Sequence, residues 1–230
     1  MNEPIVFLLD VDNTLLDNDA AQNDYLAEIR HSVSPKAAKR YCEIFEDIAQ
    51  ELGYADYLGA LQRYRLEDMH DPKLLHMSSY LLDYDFEARL YPQSLEVIEH
   101  LRARGQVVIL TDGDVVFQPR KILRAGLWDA VGHKVLICIH KEKELHQVKQ
   151  RFPAKHYVMV DDKLRLLTKI KKQWGEQVTT VFIRQGHYAT NSRSLAEYPA
   201  ADITLKRIGD LLHYEVNAIL QAAKSSSANK

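Results

Sequence analysis

The chain lacks both a cysteine framework and a long apolar segment. Cys42 and Cys138 are its two cysteines, and their wide separation matches no metal-ligand spacing, which favours reduced thiols over a disulfide. No segment approaches the roughly 20 consecutive apolar residues of a membrane helix. The N-terminal sequence MNEPIVFLLD carries acidic groups where a signal peptide carries basic ones. We therefore expect a cytoplasmic protein without a membrane partner.

An excess of either charge is also missing. The chain has 30 basic and 32 acidic residues and a net charge of -2, so it shows no electrostatic footprint for nucleic acid. Its hydrophobic fraction of 46% and charged fraction of 27% are ordinary for a soluble globular protein. The 230 residues suffice for one α/β core with an insertion or for two small domains. Composition gives no indication of the oligomeric state.

The most informative stretch is a short apolar strand that ends in two carboxylates. Residues 5–9 are all apolar, which is typical of a buried parallel strand. Asp10 and Asp12 follow, at the strand end where open α/β sheets bind ligands. Two like charges so close need a cation between them, and a divalent metal commonly provides it. One carboxylate can also act as a nucleophile and the other as its acid–base partner.

Residues 16–90 have a different character and predict an inserted helical cap. Ser34 is predicted as an N-cap, and Pro35 follows it at the first helical position. Gly53 is predicted as the C-cap of the same helix. We predict amphipathic helices at residues 19–31, 36–53, 55–69 and 72–84. An insertion after the first strand is placed to act as a lid over the C-terminal edge of the sheet.

Strands and helices alternate regularly after residue 91. The pattern predicts further strands at residues 106–110, 134–139, 156–160, 178–183 and 202–205, and a last helix at residues 208–222. Such alternation predicts a Rossmann-like parallel sheet with helices on both faces. We therefore assign residues 1–15 and 91–223 to an α/β core, residues 16–90 to the cap and residues 224–230 to a disordered tail.

Polar residues follow four of the predicted strands, and the ends of parallel strands share one edge. They are Asp10 and Asp12, Thr111, Lys141 or Lys143, and Asp161 with Asp162. Oxygen ligands suit a hard cation, Mg²⁺ before Zn²⁺. A hydroxyl and an ammonium add donors for an oxyanion that the metal also neutralises. This set of groups is typical of phosphoryl transfer.

The four motifs resemble those of the haloacid dehalogenase superfamily of hydrolases, most of which are Mg²⁺-dependent phosphatases. They read DVDNTL, LTDG, a lysine near HKEK, and VMVDD. Their order and spacing fit that family over nearly the whole chain, and the helical block resembles its helical C1-type cap. Any one motif alone is weak, whereas all four in order are specific.

The resemblance implies roles for the first two aspartates. Asp10 would attack phosphorus to form an aspartyl-phosphate, and Asp12 would protonate the leaving oxygen and then activate water. The family's true dehalogenases and its phosphonate-cleaving branch lack an aspartate at the second position. The presence of Asp12 therefore favours phosphate esters as substrates.

The resemblance also implies the remaining ligands. Thr111 and the lysine would hold phosphoryl oxygens, and Lys141 is preferred because it follows the strand directly, with Lys143 as the alternative. Asp162 would bind Mg²⁺ together with Asp10 and the Asp12 backbone carbonyl, and Asp161 would be a second acidic group at the metal.

Three loop residues complete the candidate site. Asn13 and Gly113 are expected to bring backbone amides close to the phosphate, and Asp112 either assists binding or shapes its loop. His187 and Tyr188 follow the fifth strand near the site, where a structural role is the simpler interpretation.

These features predict a Mg²⁺-dependent phosphatase that hydrolyses a small phosphomonoester. A sugar phosphomutase of the same family is the first alternative. A haloacid dehalogenase and a non-catalytic module are weaker ones. The sequence does not identify the natural substrate.

Overall fold

The core of the protein is a parallel β-sheet within the residues that the computed structural model describes, 5–67, 69–190 and 192–228. The strand order is β3-β2-β1-β4-β5-β6, and each neighbouring pair is parallel. The strands are β1 Ile5–Leu9, β2 Gln106–Asp112, β3 Val135–Cys138, β4 His156–Asp161, β5 Val178–Ile183 and β6 Ile203–Leu205. Because all of them run the same way, their C-terminal ends meet at one edge.

Helices form an insertion after β1 and surround the sheet. The insertion contains α1 Asn18–Ser32, α2 Pro35–Leu52, α3 Tyr57–Tyr64 and α4 Lys73–Asp83. The core helices are α5 Ser94–Arg102, α6 Phe117–Arg124, α7 Leu127–Ala130, α8 Leu145–Arg151, α9 Leu164–Trp174, α10 Gly186–Thr190, α11 Ser192–Glu197 and α12 Val216–Ala228. The predicted parallel sheet with an inserted helical cap is confirmed. Within the described ranges, no helix is both long enough and apolar enough to cross a bilayer.

Strand β1 is apolar throughout because it lies in the middle of the sheet and is covered on both faces. Val6 and Leu8 belong to one buried cluster, and Phe7 and Leu9 belong to the other. A strand buried on both faces has no solvent side on which a polar residue could alternate. The first polar side chain, Asp10, therefore appears only where the strand ends.

The cap helices begin and end close to the predicted positions, with one exception. Helix α3 ends at Tyr64, where the sequence pattern predicts a helix to residue 69. The amides of Leu66 and Glu67 donate to the carbonyls of Arg63 and Tyr64, 3.2 and 3.1 Å away. These shorter-range hydrogen bonds tighten the last turn and stop the helix.

The predicted last helix is in fact two elements. A 3₁₀ turn covers Ile208–His213, Tyr214 is extended, and α12 begins at Val216. The turn is fixed at its start because Asp210 accepts the Arg207 amide at 3.0 Å. Helix α12 continues to Ala228, where a disordered tail is predicted from residue 224; residues 229–230 lie outside the described residues.

The two connections between cap and core lie side by side. Leu16 and Leu90 form an antiparallel bridge, and the Tyr91 amide donates to the Leu15 carbonyl at 2.9 Å. The buried Ser94 hydroxyl donates to the same carbonyl at 2.8 Å. This paired connection lies at the predicted boundaries of the cap and fixes its position at the sheet edge.

The cap rests on the core helix α6. Phe117 of α6 packs against Tyr57 of α3, with ring centroids 5.2 Å apart. Two arginines of α6 bind the C-terminal end of α4: Arg120 donates to the Leu82 carbonyl at 2.5 Å and Arg124 to the Asp83 carbonyl at 2.7 Å. Cations at a helix C-terminus satisfy its unpaired carbonyls and oppose its dipole. Helix α6 thus supports the cap by both packing and charge.

We expect Ser94→Ala to lower the free energy of unfolding by about 1 kcal/mol, because it removes a buried hydrogen bond from the cap connection. Ser78→Ala is the matched control, since the Ser78 hydroxyl donates to the Leu75 carbonyl on the surface of one helix. Surface changes of that kind stay within about 0.5 kcal/mol. Urea denaturation of both variants tests this, and equal losses would contradict a role for Ser94 in the connection.

Candidate active site

Asp10 is held at the end of β1 by two side chains. Its Oδ1 accepts a hydrogen bond from Lys141 Nζ at 2.5 Å, and its Oδ2 accepts one from the Thr14 hydroxyl at 3.2 Å. The loop after it is tight, since the amides of Leu15 and Leu16 both donate to the Val11 carbonyl, at 2.9 and 3.0 Å. A buried carboxylate is stable only when paired in this way. Asp10 is therefore fixed in one orientation.

Lys141 reaches the centre of the site from the 3₁₀ turn after β3. Its amide donates to Asp112 Oδ1 at 2.7 Å, and its Nζ lies 2.6 Å from Asp161 Oδ2. Burial opposes the charged form of Lys141, but the carboxylates of Asp10 and Asp161 outweigh that effect and raise its pKa. Lys143 is exposed. Of the two predicted lysines, Lys141 is the one that reaches the carboxylates.

The end of β4 supplies two buried carboxylates. Asp161 Oδ1 accepts the Lys163 amide at 2.8 Å, and its Oδ2 touches Lys141 Nζ without hydrogen-bond geometry. Neither carboxylate oxygen of Asp162 has a hydrogen-bond partner among the described residues. Burial raises the pKa of both aspartates, that of Asp162 well above its ordinary value. Such groups are costly without a cation.

The aspartates Asp10, Asp161 and Asp162 have the arrangement of a metal site. One oxygen from each lies within 4.8 Å of the others. Their oxygen-only donor set suits Mg²⁺, and the partnerless oxygens of Asp162 are free to bind it. The carboxylate of Asp12 is not part of this group. That its backbone carbonyl binds the metal stays a prediction.

Asp12 instead faces helix α6. Lys121 Nζ donates to Asp12 Oδ1 at 2.8 Å, and Gln118 Nε2 lies 3.5 Å from Asp12 Oδ2. Neither residue is predicted as part of the site from the sequence, because a lysine and a glutamine in a helix usually face solvent. The available signal is their spacing: Lys121 follows Phe117 by four residues and Gln118 precedes Ile122 by four. All four side chains lie on the buried face.

The second loop differs in part from the prediction. The Thr111 hydroxyl accepts a hydrogen bond from Gln118 Nε2 at 3.1 Å, next to the site. Burial raises the pKa of Asp112 to about 6. The Gly113 amide donates to the Cys138 carbonyl at 3.0 Å. Since that amide proton is already used, Gly113 does not present it to a phosphate, and this prediction needs correction.

Asn13 also uses its amide within the protein, which corrects the second predicted phosphate donor. The amide donates to the Leu16 carbonyl at 2.7 Å, and the side chain donates to Asp19 Oδ1 at 2.9 Å. His187 Nδ1 lies 2.7 Å from the same oxygen. Burial opposes the charge on Asp19, but hydrogen bonds from His187 and Asn13 outweigh it and lower its pKa. These contacts join the first loop, α1 and α10.

A cleft of about 820 Å³ lies between the sheet edge and the cap. Its wall includes Asp12 and Asp112 from the core, Tyr54 and Tyr57 from the cap, and Lys163 and His187 from the loops after β4 and β5. The cleft therefore brings Asp12 and Asp112 to a space large enough for a small organic molecule.

Residues 6–165 match the family described as haloacid dehalogenase-like hydrolase. A haloacid dehalogenase-like hydrolase from Burkholderia xenovorans LB400 is 58% identical, with 92% of this chain and 99% of that chain covered and a TM-score of 0.88. The magnesium-bound HAD-hydrolase YfnB from Bacillus subtilis is 15% identical, with 92% and 98% covered and a TM-score of 0.60. No curated protein matches the chain.

An L-2-haloacid dehalogenase from Xanthobacter autotrophicus, with chloropropionic acid covalently bound, has the same fold. It is 14% identical to this chain, with 90% of this chain and 96% of that chain covered and a TM-score of 0.60. At this identity, as for the Bacillus protein, the likeness shows the fold alone.

We expect Asp162→Asn to change stability in opposite directions with and without metal. Burial raises the pKa of Asp162 well above its ordinary value of 3.8. At a pH above 3.8, the metal-free protein must therefore either keep a proton that the unfolded chain has lost or bury an ionised carboxylate. Both cost free energy, so the variant is more stable than the wild type in EDTA, increasingly so as pH rises towards the raised pKa. With Mg²⁺, the wild type gains stability and the variant gains less.

Thermal denaturation in EDTA and in a Mg²⁺ series measures both effects. Asp129→Asn is the control, because that carboxylate is 83% exposed and should behave like the wild type in both conditions. Equal Mg²⁺ stabilisation of Asp162→Asn and the wild type would exclude Asp162 as a ligand.

Proposed function

Because the chain belongs to the haloacid dehalogenase-like hydrolases, we propose that it is a Mg²⁺-dependent phosphatase that hydrolyses a small phosphomonoester. The observation that carries this proposal is the difference in surroundings between two neighbouring carboxylates. Asp10 is buried within the acidic group, while Asp12, two residues later, lies in the wall of the cleft. These different surroundings support nucleophilic attack by Asp10 and proton transfer by Asp12.

Asp10 is the proposed nucleophile. Lys141 and Thr14 each bind one of its oxygens, and a nucleophile held in one orientation needs little further ordering before it attacks phosphorus. Lys141 stays charged, since its pKa is raised. Together with the Thr111 hydroxyl, it would stabilise the charge on the transferring phosphoryl oxygens.

Asp12 is the proposed acid and base. As Asp10 attacks phosphorus and the bond to the leaving group breaks, Asp12 donates a proton to the departing oxygen. The resulting carboxylate then takes a proton from the water that hydrolyses the aspartyl-phosphate, which returns Asp12 to its starting state. Its side chain is 21% exposed, so both the leaving group and water can reach it.

The acidic group fits Mg²⁺ as the cofactor. Asp10 and Asp162 would hold it, with the Asp12 backbone carbonyl, and Asp161 would be a further acidic group beside it. When bound, Mg²⁺ neutralises phosphoryl oxygens and the repulsion among these carboxylates. The carboxylates of Asp10 and Asp161 also raise the pKa of two lysines beside them, Lys141 and Lys163.

A small soluble phosphate ester is the proposed partner. The cleft lies beneath the cap, and a cap that excludes bulk water strengthens charge interactions within the site. A cleft of about 820 Å³ beneath a cap suits a small ester better than a folded phosphoprotein. The side chains that face the cleft are mixed, and they do not select one metabolite.

We expect phosphate release from small phosphate esters with Mg²⁺, no release in EDTA, and a loss of at least about 10³-fold in kcat for Asp10→Asn, since no nucleophile remains. Asp114→Asn is the matched control, because Asp114 binds the amides at the start of α6 rather than the site. Turnover by Asp10→Asn at the wild-type rate would contradict the proposal.

The same assay separates the alternative activities. A sugar phosphomutase would produce an isomerised sugar phosphate without free phosphate. A haloacid dehalogenase would release chloride from 2-chloropropionate, which the presence of Asp12 argues against. A phosphoprotein turned over as fast as the best small ester would exclude the proposed substrate class.

A further inference from the structure

Lys121 is a buried lysine whose charged end contacts both the core and the cap. Its side chain is 1% exposed. Nζ donates to Asp12 Oδ1 at 2.8 Å and to Asn18 Oδ1, at the start of α1, at 2.9 Å. Burying an ammonium group is unfavourable unless its protons are hydrogen-bonded and its charge is paired. Here the Asp12 carboxylate pairs the charge, and the Asn18 amide oxygen accepts a second hydrogen bond from the ammonium group.

Two aromatic rings surround the same ammonium group. Nζ lies 5.7 Å from the ring centroid of Tyr57, in α3 of the cap, and 5.5 Å from that of Phe117, in α6. These distances are within the range of cation–π attraction. The Tyr57 hydroxyl also accepts a hydrogen bond from Asn18 Nδ2 at 3.2 Å. Lys121 is therefore enclosed by groups from the first loop, the cap and α6.

We propose that Lys121 is a positioning residue, which holds the Asp12 carboxyl group for proton transfer to the leaving group. Its contacts with the cap make that position depend on the cap being packed against α6. This inference rests on the proposed phosphatase function. Lys121 has only protons to offer, so it occupies Asp12 Oδ1 as a donor and leaves Oδ2 as the oxygen that carries the transferred proton. Gln118 Nε2, 3.5 Å from Oδ2, is a much weaker contact.

The dependence on the cap follows from the partners of Nζ. Asn18 and Tyr57 both belong to the cap, so a cap that moves away from α6 withdraws two of the groups that fix the ammonium. Tyr57 is itself held in the cap, because its backbone carbonyl accepts the Tyr41 hydroxyl at 2.9 Å. Asp12 is then correctly placed only when the cap covers the cleft.

The test compares two phosphate esters in Lys121→Met, which keeps the apolar stem and removes the charge. An alkyl phosphate needs a proton on its leaving oxygen, whereas p-nitrophenyl phosphate has a leaving group that departs without one. The parameter kcat/KM reports the steps up to loss of the leaving group, so it excludes the later hydrolysis of the aspartyl-phosphate. We expect a loss of about 10²-fold for the alkyl ester and less than about threefold for the aryl ester.

Two further variants complete the comparison. Lys171→Met breaks an ion pair of the same length, 2.8 Å to Asp202, away from the site, and should leave the ratio of the two kcat/KM values unchanged. Asn18→Ala keeps Lys121 but removes its hydrogen bond to the cap, and should lower the alkyl value by about tenfold. Equal losses for the two esters in Lys121→Met, or no loss, would overturn the proposal.

A crystal structure of Lys121→Met tests the positioning role independently of turnover. We expect the Asp12 side chain to leave the orientation in which Oδ1 faces α6. An unchanged Asp12 would overturn the inference even if the variant lost activity. If the wild type hydrolyses none of the esters, the proposed function fails, and this crystallographic comparison still decides whether Lys121 positions Asp12.

Discussion

The structure depends on the ion contacts that Lys141 makes between Asp10 and Asp161. Parallel strands bring their C-terminal ends to one edge, so the residues at the ends of β1 and β4 meet there even though they carry the same negative charge. Three aspartates within such a short distance repel one another strongly in a buried site. The ammonium group of Lys141 touches two of them, at 2.5 and 2.6 Å. The two carboxylate oxygens of Asp162 have no hydrogen-bond partner among the described residues and are available to bind a divalent cation.

Helix α6 connects the chemistry to the cap. One of its faces carries Gln118 and Lys121 to the first and second loops, and its exposed side carries the arginines that bind the end of α4. Phe117 packs against two aromatic rings of the cap, those of Tyr57 and Phe86. A single short helix thus contacts both Asp12 and the cap, and in the proposed mechanism it would couple substrate enclosure to proton transfer.

The fold was predictable because its signals are local. The apolar run before Asp10, the cap residues Ser34 and Gly53, and the alternation of strands with helices each identify an element within a few residues. The predictions were wrong where hydrogen bonds of the folded backbone decide the outcome. The amides of Asn13 and Gly113 are consumed by Leu16 and by the end of β3, and no sequence pattern indicates which amides remain free.

By itself, the sequence determined that carboxylates, a hydroxyl and a lysine converge at one edge of a parallel sheet. That conclusion needs only the position of each residue relative to a strand end, which hydrophobic periodicity reveals. Only the tertiary structure decided that Lys141 rather than Lys143 reaches Asp10, and that Lys121 holds Asp12. Those contacts join residues 131 and 109 positions apart in the chain. Their formation depends on how a turn and a helix pack, which short-range patterns do not specify.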